Sequence, residues 1–178
     1  MGPGRTAPAA GAVGGAAPAG RRRPACRGGS GLGPDAEYVA RLGFATVAFD
    51  FAAAAVAEAR RRFPGSSVDY VVADLLDLPA NWRGAYDLVV ESLTVQSLPP
   101  AVHPQAIAQV RELVAPGGTL LVIAGARRGP DEPDPEDGPW RLSRAELESF
   151  AAGDLRLRRV DRCTDPDTTR WRVELRRD

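Results

Sequence analysis

The chain has 178 residues, with 44% hydrophobic and 26% charged side chains, so it can bury one sizeable core and leaves little room for a second domain. Its 23 basic residues, all arginine, balance 23 acidic ones, and no run of about 18 apolar residues occurs, which argues against a nucleic-acid coat and a membrane span. Two cysteines and one histidine exclude a Cys/His zinc cluster and a disulfide framework.

The first 28 residues differ in composition from the rest of the chain. They contain 8 Ala, 7 Gly, 5 Arg and 4 Pro and not one acidic residue, which leaves almost nothing to bury. We therefore expect residues 1–28 to be a disordered tail and residues 29–178 to form the domain. Glycine and proline at this density would break the amphipathic helix of a targeting peptide, so a cytoplasmic location is expected.

Helix-period segments and apolar runs alternate after the tail. The first helix is predicted to begin at Pro34, with Tyr38, Val39 and Leu42 on one face, and to end before Gly43. Further helices are predicted at 52–63 and 104–115, and strands at 45–49, 68–73, 86–90 and 119–124. This alternation predicts a parallel sheet with helices on both faces.

The C-terminal part has a different pattern. Ser143 and Glu146 form a capping box that predicts a short helix. Two strands are then predicted at 155–160 and 171–176, and the second of them alternates strictly between apolar and charged residues. The predicted fold is α/β and Rossmann-like, with a mostly parallel central sheet and an antiparallel C-terminal edge strand.

A glycine-rich turn and three acids indicate a nucleotide-type crevice. Gly29, Gly31 and Gly33 precede the first helix, so the backbone there can approach a ligand closely. Three predicted strands end in an acid, and these acids are Asp50, Asp74 and Glu91. A carboxylate at the first position can accept both hydroxyls of a ribose, and Asp74 with the Leu75 amide can read an adenine edge. The alternative is that these acids only start turns or cap helices.

Several other enzyme classes fit the sequence poorly. A dinucleotide-binding oxidoreductase, the NAD-type alternative, needs glycine at the sixth position of the loop, where this chain has Pro34. The absence of lysine excludes a P-loop and a Tyr-x-x-x-Lys pair. His103 stands beside Pro104 at a predicted helix start, where a capping role is favoured over that of a catalytic base.

Together these residues resemble class I S-adenosylmethionine-dependent methyltransferases. The resemblance runs from about Gly29 to Asp178. The matching positions are Gly29, Gly31 and Gly33 in the first motif, Asp50 for the ribose, Phe51 against adenine, Asp74 with Leu75, the fourth-strand motif 86–90 followed by Glu91, and the helix-to-strand turn 113–120. The resemblance implies S-adenosyl-L-methionine as cofactor and a small-molecule substrate. The composition and charge already lead us to expect no metal and no nucleic-acid or membrane partner.

Residues 98–100 and 138–143 are similar to the thiopurine S-methyltransferase group. That similarity would imply a soft nucleophile such as a thiol as methyl acceptor. In-line transfer to a thiolate depends on proximity, alignment and a dry site more than on a side-chain base. The sequence therefore identifies no catalytic residue.

Two features depart from the family pattern. The residues before the glycine turn, 21–28, are not the continuous apolar run expected of a central strand, and residues 1–28 cannot supply the upstream helices that cover the substrate. We therefore expect the first strand and these covering helices to be missing. A truncated or frame-shifted reading of GC-rich DNA would produce such a chain. A catalytically inactive cofactor-binding remnant is the alternative to an enzyme, and such a chain would unfold easily.

Overall fold

The computed structural model describes residues 23–29, 31–126, 133, 135–136 and 138–178. The strands of this part are β1 Pro24–Gly28, β2 Ala45–Asp50, β3 Asp69–Val72, β4 Tyr86–Ser92, β5 Val114–Gly125, β6 Leu155–Thr164 and β7 Thr169–Arg177. Its α-helices are α1 Pro34–Arg41, α2 Ala53–Arg62, α3 His103–Glu112 and α4 Arg144–Ser149. Short 3-10 helices lie at Ala80–Trp82, Val95–Ser97 and Pro100–Val102.

All seven described strands form one sheet in the order β3-β2-β1-β4-β5-β7-β6. Strands β1 to β5 are parallel, whereas β7 pairs antiparallel with both β5 and β6. This confirms the predicted Rossmann-like fold with its antiparallel C-terminal edge. From β1 the chain proceeds outward on one side through β2 and β3 and on the other through β4 and β5, so the strand order reverses between β1 and β4.

The expectation that the first strand is missing is wrong. Strand β1 occupies the centre of the sheet, where Cys26 pairs with Val47 on one side and Val89 on the other. Ala25 is 0% and Cys26 1% exposed. Their small side chains produce a weak hydropathy signal, but they fit the close-packed centre of the sheet, and two flanking strands supply the backbone hydrogen bonds. The domain therefore includes residues from at least Pro24 onward. Of the tail predicted for residues 1–28, residues 1–22 lie outside the described residues.

The main core lies where α3 and α4 cover β4, β5 and β7. Leu120, Leu147, Phe150 and Leu175 are each no more than 1% exposed there. The capping box that predicted α4 is present, since the Ser143 side chain accepts from the Glu146 amide and the Glu146 carboxylate accepts from the Ser143 amide. This cap fixes the start of a helix too short to be stable alone.

Two local predictions are corrected. Of the predicted face of α1, Val39 is buried, but Tyr38 and Leu42 are each 57% exposed. Ala36 and Ala40 are buried beside Val39, because small side chains allow the helix to pack closely on the sheet. Helix α3 ends at Glu112, not 115, since Val114 already pairs with Tyr86 in β4. No helix among the described residues has the length and apolar character needed to cross a membrane.

Candidate functional site

A cavity of about 640 Å³ opens at the carboxyl ends of the parallel strands, on both sides of β1. This is the position at which open α/β sheets bind ligands. Six of the residues predicted from the sequence line it: Gly29, Gly31, Asp50, Phe51, Asp74 and Leu75. The structure therefore brings together side chains that are separated by up to 46 positions in the sequence.

The glycine turn is shaped by positive backbone angles and by close neighbours. Gly29 has φ +56°, and a Cβ there would lie 2.3 Å from Oγ1 of Thr94. Gly31 has φ +49° with open space beside it, so a ligand can approach its backbone. Gly33 does not line the cavity; its φ is +93°, and a Cβ there would lie 2.5 Å from the Tyr70 hydroxyl. The third glycine thus serves packing at the start of α1.

Asp50 joins the end of β2 to the glycine turn. Its Oδ2 accepts from the Gly31 amide at 2.9 Å, and its Oδ1 accepts from the Ala52 amide at 2.9 Å. A carboxylate has about four acceptor positions, so both oxygens can still accept from a ligand hydroxyl. Phe51 follows, lines the cavity and is 76% exposed as a residue. An exposed aromatic ring beside a hydroxyl-accepting carboxylate suits a ligand with a flat base and a sugar.

Asp74 lies across the cavity, just after β3. Its Oδ1 accepts from the Leu76 amide at 2.8 Å, which orients the carboxylate, while its Oδ2 makes no hydrogen bond within the described part of the chain. The neighbouring Leu75 is 6% exposed and forms an apolar part of the wall. One fixed acceptor above an apolar wall can receive an exocyclic amine.

Glu91 does not belong with the other acids. It is 2% exposed at the end of β4 and is absent from the cavity lining, because its Oε1 turns inward to accept from the amides of Thr94 (2.8 Å) and Val95 (2.9 Å). Burial raises the pKa of this carboxyl group, against the opposing effect of those amides and of the Arg27 charge. Glu91 therefore lies beneath the cavity, where its hydrogen bonds fix the turn after β4.

Comparison with known families identifies this architecture. The family model described as "Methyltransferase domain" matches residues 27–118, which include the glycine turn, both cavity acids and the turn into β5. The chain belongs to the methyltransferase domain family. This confirms the resemblance to class I S-adenosylmethionine-dependent methyltransferases and the corresponding enzyme class. A search of curated proteins finds no match.

Many solved methyltransferase structures share the fold of this methyltransferase. The 1,6-didemethyltoxoflavin-N1-methyltransferase from Burkholderia thailandensis, with bound S-adenosylhomocysteine, is 19% identical over 89% of this chain and 72% of its own, with a TM-score of 0.72. The N-methyltransferase NodS from Bradyrhizobium japonicum WM9, in complex with S-adenosylhomocysteine, is 17% identical over 89% and 79%, with a TM-score of 0.70. The magnesium protoporphyrin IX methyltransferase from Synechocystis PCC 6803, with bound S-adenosylmethionine, is 17% identical over 89% and 71%, with a TM-score of 0.69.

Sequence reasoning missed Arg27, which lines the cavity at the carboxyl ends of the parallel strands. Its side chain is 7% exposed, and it donates to the carbonyl oxygens of Gly28 and Gly29 and forms a 3.1 Å ion pair with Asp35. The guanidinium therefore braces the glycine turn from below, linking it to the first turn of α1. The sequence placed Arg27 in the basic tail, because it stands among Ala, Cys and Gly. No periodic pattern distinguishes it from the arginines at 21–23.

His103 was expected to cap a helix, and that expectation is wrong. Its ring is 2% exposed, with Nδ1 2.7 Å from Glu146 Oε1 and Nε2 2.9 Å from the Leu98 carbonyl oxygen. Burial would raise the pKa of Glu146, but hydrogen bonds from His103 and Ser143 outweigh it and hold that pKa below its usual value. Since Leu98 lines the cavity, the histidine connects the site to the capping box of α4.

Residues 127–139 carry five acids separated by prolines, a pattern typical of a surface loop and not of a metal site, and this segment falls mostly outside the described residues. Within the described residues, no group of three His, Cys, Asp or Glu side chains is placed to hold a metal ion.

Proposed function

We propose that this methyltransferase binds S-adenosylmethionine in the 640 Å³ cavity and transfers its methyl group to a small-molecule acceptor. The observation that carries the proposal is the Asp50 carboxylate at the end of β2, held 2.9 Å from the Gly31 amide in the turn that follows the central strand β1. There it can accept the ribose hydroxyls while the glycine turn leaves room for the rest of the cofactor. The cavity volume is within the range of small-molecule sites.

The adenine end is assigned to the exposed ring of Phe51 and to Asp74. The ring offers a flat apolar face, and the Asp74 carboxylate, oriented by the Leu76 amide, would accept from the exocyclic amine. Leu75 would contribute an apolar contact and its backbone amide. Gly29 and Gly31 would lie at the end that receives the amino-acid part, where the turn leaves room for it. When bound, the cofactor supplies an electrophilic methyl group.

A thiol as acceptor belongs to the same proposal. No His, Lys or Cys is among the described residues that line the cavity, and the one histidine is buried with both ring nitrogens engaged. A thiol ionises near neutral pH without a strong base, so holding the thiolate close to the methyl group and in line with it can suffice. A bond forms between the acceptor sulfur and the methyl carbon, the bond from that carbon to the sulfonium breaks, and the thiol proton goes to solvent.

Two free cysteines, one buried and one exposed, support a reducing compartment and hence the cytoplasm as its place of action.

The cofactor proposal is tested by the melting temperature with and without S-adenosylhomocysteine. At about 100 times its dissociation constant, the ligand should stabilise the native state by about 2.7 kcal/mol, a shift of about 5–10 °C for a domain of this size. Asp50→Asn should lose most of the shift, because an amide offers fewer acceptor positions and no charge. Asp69→Asn, the same substitution at the exposed far end of β3, should keep it.

A well-folded protein that shows no shift would overturn the cofactor assignment. The acceptor is tested separately by the release of S-adenosylhomocysteine with thiophenol and with phenol. Faster release with thiophenol supports the thiol, whereas faster release with phenol rules it out. Cofactor binding without turnover of any acceptor would instead identify the chain as an inactive binding protein.

A further inference from the structure

The described helices cover one side of the sheet only in part. Helices α3 and α4 pack on one side, against β4, β5 and β7. Helices α1 and α2 pack on the other side, and the apolar clusters that they form there reach no farther along the sheet than β4. On the α1 side, β5, β7 and β6 thus have no helix over them within the described part of the chain. We call this area the open face.

Strand β5 shows the difference between the two sides. Its residues Leu120, Val122 and Ala124 point to the α3 side and are each 0% exposed. Leu121 and Ile123 alternate with them and point to the open face, where they are only half-buried and belong to none of the apolar clusters of the described residues. Because β5 is an interior strand between β4 and β7, apolar residues on both of its sides indicate a strand that is covered on both.

Helix α1 supplies an apolar wall beside the open face. Val39 packs with Ala25 and Val90 on the side of α1 that faces β4, and Leu42 lies on the same side because it follows three residues later. Tyr38 stands one turn before Leu42, and both are 57% exposed. The apolar stripe predicted for α1 therefore continues from the buried cluster to the border of the open face. Exposed apolar surface that continues in this way is typical of a binding site for another protein.

The dimensions of the open face suit one helix. Strand β5 lies two strands from β1, which is about 10 Å at a strand spacing of about 4.8 Å. Packed helices lie about 8–10 Å apart. A helix over β5 would therefore rest on Leu121 and Ile123 and at the same time pack against Leu42 of α1.

The far border of the open face is basic. It is formed by residues of β7 that pair in register with the outward residues of β5, and by their own partners in β6. At these positions five arginines stand against two acids: Arg156, Arg159, Arg170, Arg172 and Arg176 against Asp161 and Glu174. Asp161 is already shared by Arg159 and Arg172, each at 2.7 Å. This border therefore attracts acidic side chains.

We propose that the open face docks an amphipathic α-helix of a second polypeptide, whose apolar stripe covers Leu121 and Ile123 and whose acidic edge meets Arg172 and Arg176. Residues 1–22 of this chain do not have that chemistry, since they carry three arginines, no acid, and only Met1 and Val13 as large apolar residues. The inference does not depend on the function proposed above, because none of the four contacting side chains lines the 640 Å³ cavity.

The test uses two designed helical peptides of about 18 residues with the same leucine stripe. One carries glutamates along one edge of the stripe, and the other carries lysines at the same positions. Binding of each labelled peptide to the full chain is measured by fluorescence anisotropy. The glutamate peptide should bind at least about tenfold more tightly than the lysine peptide, and about 0.5 M NaCl should narrow that difference.

Two pairs of variants locate the peptide on the protein. Leu121→Gln should weaken the glutamate peptide about tenfold, whereas Leu157→Gln, the same substitution at an exposed leucine on the other side of the sheet, should leave it unchanged. Arg172→Gln should weaken the glutamate peptide and not the lysine peptide, and Arg144→Gln on α4 should affect neither. Since Arg172 is exposed, its variant tests the site even where Leu121→Gln lowers the melting temperature.

Equal affinity for the two peptides would overturn the acidic helix as the partner. Unchanged affinity in Leu121→Gln and Arg172→Gln would place the peptide elsewhere and reject the open face as its site. A parent of twice the 18.9 kDa chain mass in sedimentation, reduced to a monomer by Leu121→Gln, would assign the open face to a second copy and would also overturn the proposal. So would a monomeric parent that binds neither peptide.

Discussion

The two cysteines of this methyltransferase should react with a thiol reagent at very different rates. Cys26 is 1% exposed in the middle of β1, hydrogen-bonded to strands on both sides, whereas Cys163 is exposed on β6. Burial also raises the pKa of the Cys26 thiol, which lowers the fraction of reactive thiolate. Modification of Cys26 therefore requires β1 to leave the centre of the sheet.

The ratio of the two reaction rates follows from how rarely β1 leaves the sheet. Removing the central strand amounts to global unfolding, and a native state that is stable by about 5 kcal/mol is open in roughly one molecule in several thousand. Under native conditions Cys26 should thus react at least about a thousandfold more slowly than Cys163. Urea should accelerate the slow phase in step with unfolding.

The assay follows the absorbance of the thiolate that an aromatic disulfide reagent releases on reaction with cysteine. One equivalent of protein thiol should react fast and one slowly. Cys163→Ser should remove only the fast phase. Cys26→Ser should remove only the slow phase and should lower the free energy of unfolding by about 1–3 kcal/mol, because a hydroxyl would be buried without a partner. If both thiols of the parent react in a single fast phase, β1 is not part of a stable sheet and the sequence-based expectation of a missing strand would stand.

Two further predictions concern the turn and the buried acid behind the site. Gly29→Ala should lower the free energy of unfolding by about 2–3 kcal/mol, since it combines a positive φ with a Cβ 2.3 Å from Thr94 Oγ1; an unchanged urea midpoint would contradict the close approach. Glu91→Gln should stabilise the protein relative to the parent by an amount that grows with pH. The folded-state pKa of Glu91 is raised above its ordinary value of 4.5, so the folded state holds this proton more tightly than the unfolded chain, and the stability from the neutral acid is lost as pH rises through the folded pKa. Urea unfolding at pH 5 and pH 8 measures this, and a pH-independent difference would show that Glu91 is not desolvated.

The elements predicted well are those with strong local signals. Strict alternation in 171–176 predicts a strand with one buried face, and the capping box at Ser143 predicts a helix start, because both patterns depend on neighbours in the sequence. The cavity acids Asp50 and Asp74 were also predicted, since strand ends in a parallel sheet share one edge. The hydrogen bonds that these two carboxylates accept from the Gly31 and Leu76 amides were not predicted.

The failures have a common physical cause. Strand β1 is stabilised by two neighbouring strands that are distant in the sequence, so Ala25 and Cys26 need only be small. Arg27 is accepted in the interior because carbonyl oxygens of the glycine turn surround its guanidinium. Glu91 follows its strand as the other acids follow theirs, but the amides of the next turn draw it inward.

The amino-acid sequence alone determined the class of fold, the edge of the sheet that carries the cavity and six of the residues that line it, because the alternation of strands with helices and the ends of the strands follow from local patterns. Only the tertiary structure decided which strand lies at the centre, which acid turns away from the cavity, and that Gly33 packs against Tyr70 and does not line the cavity. Those outcomes depend on contacts between residues far apart in the chain, whose energies have no counterpart in any local pattern.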